Sequence, residues 1–358
     1  MRTGGGVGMT APVPATVRTP GRVEVEFRSR ASLRLRIAHA LLRATLRPAV
    51  DALSVLAERT PLRGDPAFRI ANAADLAAYP LRAARGTRRA PVRFAGFRAE
   101  WLWHRDHPGP GEPAAGVILY FHGGGFLTGG LHSHRRLAAR IARTAGTALL
   151  NVDYRQLPVA HLTDSVEDAV TAYRYLLDRG IPAERVVFAG DSAGGGLAFA
   201  AALAARARGI ALPAAIAAIA PFADLDPAIR RDHPNDRRDA LLSARSLTVP
   251  ALIGFARDGV LDPMWSPVNH DFAGMPPTLI QVSDSEVLLP DAEALARRCA
   301  EAGVPHTLQI WNNAIHVFHA GADVLPDARA AIADLADFVR RALDSGAVAG
   351  DVDRTTAA

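Results

Sequence analysis

Phe188-Ala189-Gly190-Asp191-Ser192-Ala193-Gly194-Gly195-Gly196 is the stretch on which the fold turns. Val186-Val187-Phe188 leads into it, and an Ala/Leu-rich run from Leu197 to Ala205 follows. An apolar run, then Gly-x-Ser-x-Gly, then helix-forming residues reads as a buried strand, a sharp turn and a helix. In such a turn Gly190 and Gly194 leave room where side chains would clash, and Ser192 stands at the apex with its Oγ exposed. That makes Ser192 a candidate nucleophile. The competing reading is a glycine-rich phosphate loop, but the stretch has neither Gly-Lys-Ser/Thr nor Gly-x-Gly-x-x-Gly.

Strand and helix alternate on both sides of this turn. Upstream, Val117 to Phe121 and Ala148 to Val152 read as strands, with helices over Ser133 to Thr144 and Asp164 to Asp178. Asp164 with Glu167 has the form of a helix-start box. Downstream come strand Ala215 to Pro221, strand Thr278 to Val282, helix Asp291 to Ala302, strand Thr307 to Trp311 and helix Ala328 to Leu343. Strands apolar throughout, separated by amphipathic helices, imply a parallel sheet covered on both faces. Ahead of them, Val92, Phe94, Phe97, Ala99, Leu102 and Trp103 bracket Gly96 and read as an antiparallel pair. Asp224 to Ile253 breaks the rhythm. It is rich in charge (Asp224, Asp226, Arg230, Arg231, Asp232, Asp236, Arg237, Arg238), which reads as a solvated face, and it is expected to form a helical excursion over the binding crevice.

The ends of the chain differ from its middle. Residues 1–22 are rich in Gly, Pro, Thr and Val and are expected to be a disordered leader; they lack the apolar segment of a signal peptide. From Ser29 to Val55 the pattern is helical, with Leu33, Ile37 and Leu41 in one row, Ala38, Leu42 and Leu46 in a second, and Pro48 expected to end one helix and open another. Arg34, Arg36, Arg43 and Arg47 are interspersed. Such a helix either packs its apolar face on the main domain or rests on a membrane or lipid substrate. The expected organisation is the leader, an N-terminal helical extension over 23–90, a catalytic domain over 91–345 with an insertion at about 224–262, and a flexible tail over 346–358.

With 358 residues, 49% of them hydrophobic and 22% charged, the chain can bury a sizeable core. The formal charge is +5 and arginine supplies all of the basic side, yet no basic patch is interleaved with aromatics, so a nucleic-acid partner is not expected. Cys299 is the only cysteine, which rules out an internal disulfide. There is no apolar run of the roughly 18 residues that a membrane span needs, and a cytoplasmic location is expected. His104, Asp106 and His107 share a loop, but no further ligand pair has metal spacing, so neither a metal nor a cofactor is expected.

A serine hydroxyl needs a base in hydrogen-bond reach and an acid to orient that base. Both should lie in loops beyond later strands, at the same end of the sheet as Ser192. His316, in Asn312-Asn313-Ala314-Ile315-His316-Val317-Phe318, occupies such a loop. His319 is the runner-up, and His306 sits at the wrong end of its strand. The acid lies in Ser283-Asp284-Ser285-Glu286-Val287-Leu288-Leu289, where Asp284 and Glu286 both qualify. Local logic does not choose between them, since either carboxylate can reach an imidazole from that loop; that Asp is the commoner triad acid in general favours Asp284. Strand Val117 to Phe121 runs into His122-Gly123-Gly124-Gly125-Phe126, where the N–H groups of Gly123 and Gly124, with that of Ala193, can form an oxyanion hole. His122 is then expected to hold the loop.

These residues resemble the hormone-sensitive-lipase-like esterases of the α/β-hydrolase superfamily. The resemblance spans about 95–345 and rests on His122-Gly123-Gly124-Gly125-Phe126, Asp153-Tyr154-Arg155, Gly190-Asp191-Ser192-Ala193-Gly194-Gly195, Ser266-Pro267, Pro276-Pro277 and His316-Val317-Phe318. It implies a mostly parallel sheet of about eight strands flanked by helices, with a helical cap built from the N-terminal helices and the insertion. It also implies hydrolysis of short- to medium-chain acyl esters without metal or cofactor. The family acid is usually the Asp of Asp-Pro-Leu, but one branch carries Glu-Val-Leu, and Glu286-Val287-Leu288 matches that branch; this moves the choice to Glu286. The family's Leu-Ala-Pro-Glu after Tyr-Arg is replaced here by Gln156-Leu157-Pro158-Val159, a change expected to affect loop packing more than chemistry. Two rivals share the fold. One is a membrane-surface lipase. The other is a small-molecule receptor, similar to the plant gibberellin receptors, which lack the histidine that His316 supplies here. Lookalikes also suggest a homodimer.

Overall fold

The computed structural model describes residues 22–28, 30–59, 65–80, 82–112 and 115–356, so the expected leader lies outside them except for Arg22. In chain order, β1 (Val25–Phe27) precedes α1 (Leu33–Arg59), α2 (Asp65–Ala73) and the antiparallel pair β2 (Thr87–Arg93) and β3 (Arg98–His104). The alternation follows: β4 (Val117–Phe121), α3 (Leu131–Ala145), β5 (Ala148–Asp153), α4 (Leu162–Asp178), β6 (Val186–Asp191), α5 (Ala193–Ala207) and β7 (Ala215–Ile219). The segment between β7 and the next strand carries α6 (Ala228–Arg231), α7 (Ala244–Thr248) and a π-helical run over Val249–Phe255. The chain closes with β8 (Thr278–Ser283), α8 (Leu289–Glu301), β9 (His306–Trp311) and α9 (Pro326–Thr356).

One sheet takes every strand, in the order β1-β9-β8-β7-β6-β4-β5-β3-β2. All pairs from β1 to β5 are parallel, and only β5–β3 and β3–β2 are antiparallel. Alternate residues of β4 divide between the two faces: Val117, Leu119 and Phe121 join the core under α4, α5 and α8, while Ile118 and Tyr120 join the core under α3 and α9. Each wholly buried side chain of this kind, such as Phe188, contributes about 2–3 kcal/mol. Double burial is why these strands are apolar throughout rather than alternating.

The sheet has nine strands, one more than the expected eight. The addition is β1, paired in parallel with β9 through Val25↔Leu308 and Phe27↔Ile310. It spans three residues, all solvent-facing, within the alternating run Val23-Glu24-Val25-Glu26-Phe27, a period-two pattern too short to be told from a loop on its own. α1 is also unbroken where Pro48 was expected to divide it. The preceding Arg47 ties the helix down across that point, donating to the backbone carbonyls of Asp236 (2.7 Å), Asp239 (3.1 Å) and Leu242 (2.5 Å). The face that α1 turns inward carries Leu35, Ala38, His39 and Leu42, a helical stripe, whereas Leu33, Ile37 and Leu41 face solvent. α4 starts earlier than the expected Asp164: the His161 ring caps the Thr163 N–H, and the Asp164 carboxylate accepts from the His161 N–H at 2.9 Å. α9 continues through the polar segment expected to fray, because polarity alone does not stop a helix and no proline interrupts the run. Among the described residues no helix is long and apolar enough to cross a membrane.

Candidate active site

The carboxyl ends of β4, β6, β8 and β9 deliver the expected site residues to one edge of the sheet. At the end of β6, Ser192 has φ 52° and ψ −121°, and α5 begins at the next residue. A non-glycine residue held there costs about 1–3 kcal/mol and persists only where its surroundings over-determine it. They do so here: the Ser192 N–H donates to Ile219 O (2.8 Å), while Ser192 O accepts from Phe222 (2.9 Å) and Gly196 (3.1 Å). A Cβ at Gly194 would overlap the Phe121 and His122 carbonyls, and one at Gly190 would overlap Gly194 O, so the glycines are required by close backbone approach. Ser192 as a whole is 5% exposed, but its Oγ, which has no hydrogen-bond partner among the described residues, is not among the fully enclosed polar atoms.

Beyond β9, His316 Nδ1 lies 2.7 Å from Glu286 Oε2, and both residues are buried. A carboxylate only accepts, so the ring donates from Nδ1 and its Nε2 is left as an acceptor. The other Glu286 oxygen accepts from the Ser283 N–H at 3.0 Å. Asp284, the rival acid, points elsewhere: it accepts from Asn312 Nδ2 (2.8 Å) and the Asn313 N–H (2.7 Å), tying the two loops together. Burial raises the Glu286 pKa against the opposing pull of His316. Burial alone would lower that of His316, but the hydrogen bond and charge of Glu286, with the charges of Asp239 and Asp191, carry it above 6.5. His319 is buried against Gln281 Oε1 at 2.9 Å, where burial drives its pKa down to about 3. His306 bonds Val304 O at the opposite end of β9.

The loop after β4 lies against the serine turn, for a Cβ built on Gly123 would come 3.0 Å from Ser192 Cβ. Gly124 and Gly125 take φ values of 122° and 64°, open to glycine. Among the described residues no protein group accepts from the N–H of Gly123 or Gly124. The Ala193 N–H, at the first position of α5, is one of the donors that a helix start leaves without an intrahelical partner. His122 holds the loop, its Nδ1 2.8 Å from Gly123 O and its ring stacked on Tyr154, whose hydroxyl donates to His122 O at 2.7 Å. The departing segment takes part too: Gln156 Nε2 donates to Gly129 O (3.1 Å) and the Leu157 N–H to Phe126 O (2.9 Å).

The charged run after β7 is not a solvated face throughout. Arg230 is fully buried against Asp291 at 2.8 Å, and Asp224 is also buried. Two residues unremarked in the sequence reach the acid loop from this run. Asn235 Nδ2 donates to the carbonyls of Asp284 and Glu286, each at 2.9 Å. Asp239 accepts from the Val287 N–H at 2.8 Å with one oxygen and from the Leu241 and Leu242 N–H groups with the other. An Asp bonding amides two and three residues on has a local turn signature, but its reach to Val287 crosses the fold and leaves no trace in sequence. Asp191 is similarly hidden: it accepts from the Tyr120 hydroxyl at 2.6 Å and lies 3.3 Å from His134 Nε2.

Asp239→Asn is expected to lower kcat/KM about ten- to hundredfold, the worth of one hydrogen bond to a buried charge. The Asp239 charge helps to raise the His316 pKa, so its removal moves the acid limb of the pH profile to lower pH. A residue serving packing alone would leave that limb in place.

The family described as alpha/beta hydrolase fold has a sequence model that matches residues 118–320. The acetyl-hydrolase of Streptomyces hygroscopicus is 40% identical over 248 residues, covering 69% of this chain and 81% of that protein. Esterase LipU of Mycobacterium tuberculosis is 37% identical over 275 residues, 75% of this chain and 92% of that protein. A solved esterase from the bacterial hormone-sensitive lipase family superposes with a TM-score of 0.70 at 32% identity, over 83% of this chain and 98% of its own.

Proposed function

Because the chain belongs to the α/β-hydrolase fold family, and within it to the hormone-sensitive-lipase-like carboxylester hydrolases, we propose that Ser192, His316 and Glu286 carry its reaction. Two observations support this most: the buried His316–Glu286 contact at 2.7 Å, and a strand-to-helix turn that holds Ser192 at positive φ. His316 Nε2 takes the Ser192 proton as Oγ attacks the ester carbonyl carbon. The N–H groups of Gly123, Gly124 and Ala193 hold the resulting oxyanion. Its collapse expels the alcohol, protonated by His316, and leaves an acyl-enzyme. Water activated by the same imidazole then releases the acid. Glu286 fixes the tautomer and stabilises the imidazolium. No step calls for a metal or cofactor.

The substrate in this reading is a small ester with a short- to medium-chain acyl group. α1 and the segment over 224–262 are its cap: Phe255 of that segment packs edge-on against Phe126 at 5.7 Å, and Pro250 lies 3.9 Å from the place a Cβ would take on Gly125. A cytoplasmic location and a homodimer paired along an outer strand belong to the same proposal. A receptor on this fold would have no use for a histidine braced by a buried carboxylate. A second reading, action at a lipid surface, is favoured by the outward row on α1.

A fluorophosphonate probe tests the nucleophile. The expected result is one covalent adduct per chain, on the peptide bearing Ser192, formed in step with loss of esterase activity. An active preparation that resists the probe, or an adduct on another residue, overturns the assignment.

A further inference from the structure

α1 presents two unlike faces. Leu35, Ala38, His39 and Leu42 turn to the core, while Leu33, Ile37, Ala40, Leu41 and Ala44 form a second apolar stripe that faces solvent. Leu33, Ile37 and Leu41 are 66%, 58% and 60% exposed, so this row is not a core face that packs incompletely. Adjacent large apolar side chains left in water along one helix face mark a contact surface. The charges around the stripe are of one sign. Arg28, Arg30, Arg34, Arg36, Arg43 and Arg47 fall between Phe27 and Val50, with no acidic residue among them. Arg28 and Arg47 are spent on ion pairs with Asp334 and Asp51. Among the described residues the other four meet no carboxylate: Arg34 and Arg43 are held only by the backbone carbonyls of Val324 and Arg237, and Arg36 is exposed beside Ile37. Arg36 and Arg43 line a shallow depression of about 770 Å³ together with Leu33, Ile37 and Asn313. Asn313 belongs to the loop that carries His316, so the stripe runs up to the edge of the active site.

From this arrangement we infer that the N-terminal half of α1 docks the enzyme on an anionic lipid bilayer. The apolar stripe enters the headgroup boundary, and the unpaired guanidinium groups on its flanks meet lipid phosphates. A second copy of the chain is the poorer partner. Two-fold pairing through this face would set one row of arginines against its own duplicate, with no carboxylate on the stripe to offset the repulsion. Docking here would bring the loop bearing His316 close to the surface, where esters partitioned into lipid are concentrated. The binding itself is independent of the esterase assignment, since it is read without turnover.

The test is co-sedimentation with vesicles, using protein already blocked by the fluorophosphonate and, in parallel, the active enzyme. The chain is expected to sediment with vesicles of phosphatidylglycerol mixed with phosphatidylcholine and to remain in solution with phosphatidylcholine alone. Raising the salt from about 0.1 to about 0.5 M should release it, because the Debye length shrinks below the spacing of exposed charges. The combined variant Leu33→Ser/Ile37→Ser/Leu41→Ser should bind at least about tenfold less, through loss of the apolar anchor. Its far-UV circular dichroism and cooperative thermal unfolding should match those of the parent, which shows that it folds. A triple variant that sediments like the parent overturns the inference, as does a parent that ignores anionic vesicles. So does a dimer in analytical ultracentrifugation that the triple variant abolishes, since a second copy would then cover the stripe.

Discussion

Ser192→Ala is expected to lower kcat/KM for p-nitrophenyl butyrate by about 10⁴- to 10⁶-fold, leaving only the rate that an oxyanion hole and substrate positioning sustain. The fold should not notice the change. Alanine keeps the Cβ that makes φ 52° unfavourable, and Ser192 Oγ makes no hydrogen bond within the described protein, so stability should shift by no more than about 0.5 kcal/mol. Ser192→Gly separates the two effects. It removes the same nucleophile but also the Cβ, and it should gain about 1 kcal/mol of stability by relieving the left-handed strain. Thermal unfolding and initial rates on the three proteins check both statements. Activity in Ser192→Ala within tenfold of the parent would exclude Ser192 as nucleophile, and a glycine variant less stable than the alanine one would show that the turn is not strained.

What the sequence disclosed follows from where its signals are local. A nucleophile turn must carry glycines within a few residues of the serine, because the end of β4 crosses it at backbone contact, and so the motif is compact and readable. Doubly buried strands are apolar without alternation, and helices between them keep a helical period, so the rhythm from Val117 onward is legible. The stretch that carries His316 follows from strand order, which by itself does not separate His316 from His319 three residues on. What stayed hidden depends on partners far along the chain. β1 exists only because β9 offers an open edge 280-odd residues later in a register such as Val25↔Leu308. The helix survives Pro48 because Arg47 finds carbonyls at Asp236, Asp239 and Leu242. The charged run after β7 looked solvated because composition does not reveal that Arg230 is fully buried against Asp291. The rows on α1 are equally apolar on paper, and only packing chooses Leu35 and Leu42 for the core over Ile37 and Leu41.

The acid is the sharpest case, since Asp284 and Glu286 are two residues apart and chemically alike, and the choice makes opposite predictions for a pair of isosteric variants. Glu286→Gln is expected to reduce kcat/KM by about 10³- to 10⁴-fold. The loss is larger than one hydrogen bond would suggest, for a reason of tautomer. A glutamine amide can turn its NH₂ toward His316 Nδ1 and donate to it, which places the ring proton on Nε2, where a base must be bare. The pH profile carries the second signature. His316 must be neutral to accept the serine proton, so in the parent activity falls as pH drops through a His316 pKa that lies above 6.5. Without the Glu286 charge, burial is the dominant influence left, and burial lowers the pKa of a histidine. The acid limb of the glutamine variant therefore shifts to lower pH while its plateau collapses. Asp284→Asn touches neither effect. It weakens the bonds to Asn312 and Asn313, costing about 1–2 kcal/mol of stability and less than about tenfold in kcat/KM, with the limb unmoved. Were the large loss and the shifted limb to appear in Asp284→Asn instead, the loop would have to rearrange during turnover so that Asp284 replaces Glu286 on the imidazole. The 2.7 Å contact would then describe only the resting enzyme.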